Sequence, residues 1–298
     1  ADGSQGLEAR FAAGQALPDR RFPIPRWQGE ARAGKRLLVW REQGVGDEIM
    51  FASVYSGILG PSRRLAAPSV VIEADARLVP LLARSFPAAV VRAETDAPAD
   101  ADCHIPAGSL PVLHRSRLAE FPMVPAFLRP DPVRVAAWRD RLPPGLRVGL
   151  CWRSGRASAE RVGHYTRLAE WEPLLRVPGL VPVCLQYDEC ADEVAAVTVR
   201  TGITIHRPDG LDLRNDLDGA AALTAALDLV VSAGTSVAEM AGALGVPVWR
   251  LSHPREWSAL GTGCRPWYPS MRLFVRGDGE AMGALLPRVA AVLKGMTG

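Results

Sequence analysis

The hydrophobic pattern divides the chain into an irregular opening and two alternating sets. Residues 1 to 34 follow no period and carry the breakers Pro18, Pro23, Pro25, Gly29 and Gly34. They read as a linker or an arm packed on a domain, with Phe22 and Trp27 as anchors. From Arg36 short apolar runs alternate with longer stretches of helical period. Arg36–Trp40 is predicted as a buried strand, and Val70–Glu73, Ala89–Arg92 and Cys103–Ile105 as further strands. Glu48–Leu59 and Ala76–Phe86 are predicted as the helices between them. Short strands separated by helices of about ten residues imply parallel βαβ units.

A proline-rich passage follows, with a helix expected over Val133–Leu142 and a hinge at Pro143-Pro144-Gly145. A second alternating set then begins. Its strands are expected at Arg147–Trp152, Leu180–Gln186, Ile203–His206, Leu227–Ser232 and Val246–Leu251. Helices are expected at Leu168–Leu175, Ala191–Thr201, Ala220–Ala226, Val237–Leu244 and Gly279–Leu293. The organisation is therefore an arm (1–34), a first α/β domain (35–143) and a second (144–298). The last helix is a candidate to return to the first domain.

Composition narrows the function classes. With 298 residues, 48% hydrophobic and 22% charged, the chain has material for a core and does not read as disordered. All but Lys35 and Lys294 of the 35 basic residues are arginine, yet they are spread along the chain and the net charge is only +3. That argues against nucleic acid as a partner. No apolar run approaches the ~18 residues of a membrane span. The polar opening Ala1–Gly6 is unlike a secretory leader, and a cytoplasmic location is expected. Five scattered cysteines without C-x-x-C spacing argue against a zinc module or a disulfide framework. His104, His114, His164, His206 and His253 show no metal-ligand spacing, so no metal is expected.

Four segments could carry chemistry. Gln43-Gly44-Val45-Gly46-Asp47-Glu48 places glycines between a strand and a helix, where a ligand can approach the backbone. Ile49 stands where a dinucleotide fingerprint needs its third glycine, and Glu73 falls roughly where a ribose-binding acid would. Asp47 either caps the helix or faces the site as a general base, although a helix N-terminus weakens a carboxylate as a base. The second segment, Val148–Arg156, delivers Arg153 and a small-residue turn to a strand end, with Arg156 and Arg161 beyond it as further phosphate forks. In the third, Ser232-Ala233-Gly234-Thr235-Ser236 joins a buried strand to a small-residue helix. It reads either as a phosphate cradle or as simple N-capping. The fourth, Asp216-Leu217-Asp218, fits capping better than a cation.

Taken together, these stretches resemble a known family. Leu37–Tyr55, with its Gln-Gly-x-Gly-Asp core, is similar to the N-terminal motif of glycosyltransferases of the two-Rossmann GT-B architecture. Val148–Ser154, Ser232–Trp249 and Arg265–Arg272 agree in the same order. More narrowly, the chain resembles bacterial proteins in which such a domain follows tetratricopeptide repeats. These are distant relatives of lipopolysaccharide heptosyltransferases and of O-GlcNAc transferase. The resemblance begins near residue 18, and Pro18–Glu30 looks like the joining segment, so the repeats are expected as a partner outside this chain.

The resemblance implies an α/β fold of two Rossmann-like domains facing a cleft. It implies an inverting, metal-independent glycosyltransferase that moves a sugar from a nucleotide sugar to a hydroxyl of a protein or glycan, with no cofactor. Asp47 is then the base, Thr235 and Ser236 hold the donor diphosphate, and Arg153 offsets leaving-group charge. Gln186, Tyr187 and Asp188 are expected at the base and ribose. Gly44, Gly46, Ser154, Gly234 and Glu239 complete the donor-binding set, with Gln43, Arg161 and His164 as further candidates. Heptosyltransferases commonly have Asp before that Thr and His further along the helix, where this chain has Gly234 and Glu239. Those departures support the alternative, a transferase-like domain without catalysis that binds a nucleotide or a protein.

Overall fold

The computed structural model describes Glu8, Arg32 and residues 20–30, 34–59, 69–95, 100–121, 123–155 and 162–297. The chain divides into two compact units, Ala1–Arg129 and Pro130–Gly298.

The first unit is a parallel sheet of four strands: β1 (Leu37–Trp40), β2 (Val70–Ala74), β3 (Val90–Ala93) and β4 (Cys103–Pro106), in the order β3-β2-β1-β4. β1 and β2 are buried throughout. A parallel strand covered on both faces needs such an unbroken apolar run. After β1 come α1 (Val45–Ala52) and α2 (Tyr55–Leu59), after β2 comes α3 (Val79–Ser85), and after β4 comes α4 (Leu110–His114). The single helix expected over Glu48–Leu59 is thus two, parted at Ser53, whose Oγ donates to Met50 O. The arm is anchored as expected. Trp27 is buried, and Phe22 packs on His104 and Trp40 with centroids 4.5 and 5.6 Å away. Residues 25–27 lie along β4, with His104 N donating to Pro25 O and Trp27 N to His104 O.

The second unit contains five parallel strands, β5 (Leu146–Cys151), β6 (Leu180–Cys184), β7 (Leu229–Ser232), β8 (Val248–Ser252) and β9 (Met271–Val275), ordered β6-β5-β7-β8-β9. Its helices are α5 (Pro132–Arg141), α6 (Glu172–Leu175), α7 (Ala191–Thr201), α8 (Leu217–Ala225), α9 (Ser236–Ala243) and α10 (Leu285–Thr297). Alternate strand residues Val148, Leu150, Val231, Trp249 and Leu251 join Trp152, Trp171 and the apolar side of α10 in one large core. The intervening residues, Ser232 and Arg250 among them, face the other way, and α9 packs on β7 and β8 there.

Two expectations are corrected. The units divide at 129/130 and not at Pro143-Pro144-Gly145, because α5 packs on α8 and Arg134 pairs with Asp216. Within the second unit the last helix packs on α6 and β9. Ile203–His206 forms a single bridge, His206 to Val183, and the strand beyond β8 is instead β9. Both units carry the Rossmann-like signature: chain order reverses once in each sheet, between β1 and β4 and between β5 and β7.

Candidate functional site

In open parallel sheets ligands bind beyond the strand ends at the point where chain order reverses. In the second unit that point lies beyond β5 and β7. β5 leads into Trp152, Arg153 and Ser154, and β7 leads into Ala233, Gly234 and Thr235. Thr235 is the N-cap of α9: its Oγ1 accepts from Val237 N at 3.3 Å and lies 3.3 Å from Ser232 Oγ and 3.5 Å from Cys151 Sγ. The turn is thereby tied to both strands, while Ser236 and Gly234 remain partly exposed. In the first turn of α9 Val237 N is taken by Thr235 Oγ1 and Ala238 N by Thr235 O, so Ser236 supplies the N–H and hydroxyl suited to an anion there. Of the two readings of Ser232–Ser236, capping by Thr235 is observed, and it is compatible with a cradle.

The residues expected at the base and ribose are engaged within the chain. Gln186 is buried, and its side chain holds the ends of β5 and β6 together. Its Oε1 accepts from Trp152 N (3.0 Å) and Arg153 N (3.2 Å), and its Nε2 donates to Arg153 O (2.9 Å) and Asp188 Oδ1 (2.8 Å). Tyr187 is half-buried, with its hydroxyl 3.2 Å from Ser154 Oγ and accepting from Gly155 N. Burial raises its pKa. Arg153 is not a free cation. Its guanidinium donates to Asp188, Glu193 and Glu189 O, and Glu193 also accepts from Trp152 Nε1 and Leu168 N. It stands as an oriented, largely neutralised group at the edge of the turn.

Beneath the start of α9 lies a buried ionic network. Arg250 of β8 donates to Glu239 Oε1 (3.2 Å) and Glu256 Oε2 (2.8 Å), and Arg265 donates to Glu239 Oε2 (2.8 Å). Glu256 also accepts from Ser258 Oγ at 2.6 Å and from Ser252 Oγ at 3.5 Å, and Arg265 Nη1 stands 3.7 Å from it. Burial pushes Glu239 up to about 7 against the pull of Arg250. A Cβ on Gly234 would stand 2.6 Å from an Arg250 amine. The two departures from the heptosyltransferase pattern, Gly234 and Glu239, thus meet at one guanidinium.

In the first unit the β1 end is also tightly built. Gln43 adopts φ 64°, the left-handed region that non-glycine residues rarely enter. α1 then starts at Val45, with Gly44 as N-cap, and Asp47 reaches back to accept from Gly44 N at 3.3 Å. Asp47 is therefore a capping residue by geometry, partly exposed, on the same turn as Gly46. Two acids nearby are buried. Glu42 accepts from Gly108 N at 2.7 Å, joining the ends of β1 and β4. Glu48 accepts from Arg41 Nε (2.7 Å) and Asp75 N (2.9 Å), and burial pushes it up to about 7. Glu73 is not available for a ribose: it is fully buried and accepts from Arg20, Arg92 and Thr95.

Among the remaining candidates, His164 packs edge-on against His253 with centroids 4.3 Å apart, and His253 lies 4.0 Å from Glu256. Arg156 and Arg161 lie outside the described residues. Asp216 of the D-x-D caps α8 through Gly219 N at 2.8 Å and pairs with Arg134, which answers the capping reading. Arg250, Glu193 and Glu48 were missed by sequence reasoning. For Arg250 a signal existed, an arginine inside the apolar run Val-Trp-Arg-Leu, since a charge on a buried strand must find a partner.

No known family profile matches the chain. Among curated proteins, FlbA of Caulobacter vibrioides is 38% identical over 317 aligned positions, which cover 98% of this chain and 52% of FlbA. The chain therefore spans about half the length of that relative. Among solved structures, E. coli ADP-heptose LPS heptosyltransferase II superposes with a TM-score of 0.58 at 15% identity, covering 87% of this chain and 98% of that one. A glycosyl transferase family 9 protein of Veillonella parvula gives 0.58 at 10% identity, covering 90% and 98%. E. coli heptosyltransferase WaaC with ADP-2-deoxy-2-fluoro heptose gives 0.55 at 11%, covering 88% and 100%. The shared fold is α/β with two Rossmann-like domains, the GT-B class. Among the described residues no helix is long and apolar enough to cross a membrane.

Proposed function

We propose that this domain is a glycosyltransferase that takes a nucleotide sugar as donor. The observation that carries the reading is the Ser-Ala-Gly-Thr-Ser turn at the chain reversal of the second sheet, opening α9 beside the end of β5. Two fold neighbours support it, one named for ADP-heptose and one holding an ADP-heptose analogue. The donor diphosphate would lie on Thr235 and on Ser236 at the N-terminus of α9, with Ser154 and Tyr187 alongside. The helix N-terminus would stabilise the charge left on the departing phosphate. Arg153, already oriented by Asp188 and Glu193, adds a fixed dipole more than a bare cation. Asp47 is the proposed base, taking the proton from an acceptor hydroxyl as it attacks the anomeric carbon; attack opposite the leaving group inverts that carbon. Nothing in this scheme needs a metal. The acceptor class is a protein or glycan hydroxyl, and tetratricopeptide repeats are a proposed partner of the domain.

A second reading rests on the observation that Asp47 and Arg153 are both engaged by their own neighbours. It makes the domain a nucleotide- or protein-binding module. One experiment separates the two. Melting temperature is followed against ADP, UDP, GDP, CDP, CMP and NAD, with and without EDTA, since a ligand that binds only the folded state raises it. Sugar release from the matching nucleotide sugar is then compared in wild type and Asp47→Ala. A transferase shows an EDTA-insensitive shift with one nucleoside diphosphate, and sugar release lost in Asp47→Ala while the shift is retained. A shift without sugar release identifies the binding module. No shift with any nucleotide overturns both nucleotide readings.

A further inference from the structure

The network under α9 explains more than the stability of the second unit. Arg250 comes from a central position on β8, paired in register with Ser232, the last residue of β7. Its side chain is 8% exposed, and its Nε is buried and donates to no described residue. Its two amines are each held by a different carboxylate, Nη1 by Glu239 on α9 and Nη2 by Glu256 on the loop after β8. The guanidinium therefore cannot swing aside as an exposed arginine would. It lies against Gly234, with an amine, the central carbon and Nε at 2.6, 3.3 and 3.3 Å from where a Cβ would be built. Gly234 has an ordinary backbone conformation, so here glycine answers to the space the guanidinium occupies and not to φ.

A positive charge below a helix N-terminus is unfavourable by itself. A buried arginine there must be compensated, and the two glutamates compensate it. What this arrangement provides is a planar, fixed floor under the turn between β7 and α9. We propose that Arg250 is a positioning residue for the diphosphate-binding turn: clamped by Glu239 and Glu256, it holds Gly234 so that Ser236, at the start of α9, is set for a phosphate. This inference rests on the nucleotide-sugar reading given above. It assigns Gly234, Glu239, Glu256 and Arg265 one shared task, to fix the turn from below, with Arg265 holding the far oxygen of Glu239.

The test is a double-substitution cycle read on the affinity for the nucleoside diphosphate that stabilises wild type in the panel above, with its parent nucleoside as the control ligand. Gly234→Ala pushes against the pinned guanidinium, and Arg250→Met removes it. Each is expected to weaken diphosphate binding about tenfold through displacement of the turn, and to leave nucleoside binding unchanged. The pair together should be no weaker than the weaker single, because the methyl group and the guanidinium compete for one space. Losses that multiply, or singles that bind like wild type, would overturn the inference. Should Arg250→Met fail to fold, Arg250→Lys keeps the charge but not the fork, and is expected to lose diphosphate affinity by the same factor. Wild-type affinity in folded Arg250→Lys would equally overturn it. Absence of diphosphate binding by wild type would instead bring down the nucleotide reading, and the inference with it.

Discussion

Asp47 and Glu48 are neighbours in sequence and opposite in environment. One helical step of about 100° separates a partly exposed carboxylate that reaches back to Gly44 N from one that is 3% exposed beneath it. Glu48 is held protonated up to about 7 by burial, against the attraction of Arg41 and the N–H of Asp75. Between the ordinary 4.5 and about 7 the folded chain keeps a proton that the unfolded chain has released. Stability from this group is therefore lost as pH rises through that window. Glu48→Gln removes the titration. Compared with that variant, wild type should lose on the order of 2 kcal/mol between pH 5 and pH 8, read from urea midpoints. Parallel pH dependences in the two proteins would contradict the assignment. His104, lowered to about 4 chiefly by burial, pulls the other way but is common to both. At this scale the sequence was a partial guide. The Gly-Asp turn and the Thr-Ser turn stand where the motifs put them. Which acids are buried was not legible, because burial of Glu42, Glu48 and Glu73 depends on partners far along the chain.

Among elements, the segments that follow β5 and β6 are tied together by one side chain. Gln186 offers an acceptor to two backbone N–H groups and both its donors to Arg153 O and Asp188. Gln186→Leu keeps the volume and leaves Trp152 N and Arg153 N unmatched, which should cost about 3 kcal/mol. Equilibrium urea unfolding checks this, and a loss below about 0.5 kcal/mol would show that water replaces the amide. Most strands were legible because buried parallel strands read as unbroken apolar runs, as in Leu37–Trp40 and Leu229–Ser232. β9 was not, since Met271–Val275 mixes exposed Arg272 and Val275 with buried Met271 and Phe274, as an edge strand does. Ile203–His206 looked like a strand by composition. It follows Gly202 in the left-handed region and makes only one bridge.

For the molecule as a whole, the two α/β units could be counted from the alternation, but their border could not. Proline clusters occur on both sides of α5, and only the packing of that helix on α8 decides between them. The second unit encloses its own core of β5–β9, α6, α7 and α10. Residues 130–298 expressed alone should therefore melt cooperatively and retain the diphosphate-dependent shift, as followed by circular dichroism and the nucleotide panel. A broad, non-cooperative melt would show that the second unit depends on the first. The first unit has a different dependence. β4 ends its sheet, and the backbone of residues 25–27 is hydrogen-bonded along it. An uncovered parallel edge is a template for strands from other copies. Residues 25–27 occupy backbone groups that the edge would otherwise present, and breaking that cover is expected to show as aggregation on refolding, read by light scattering, before any change in chemistry.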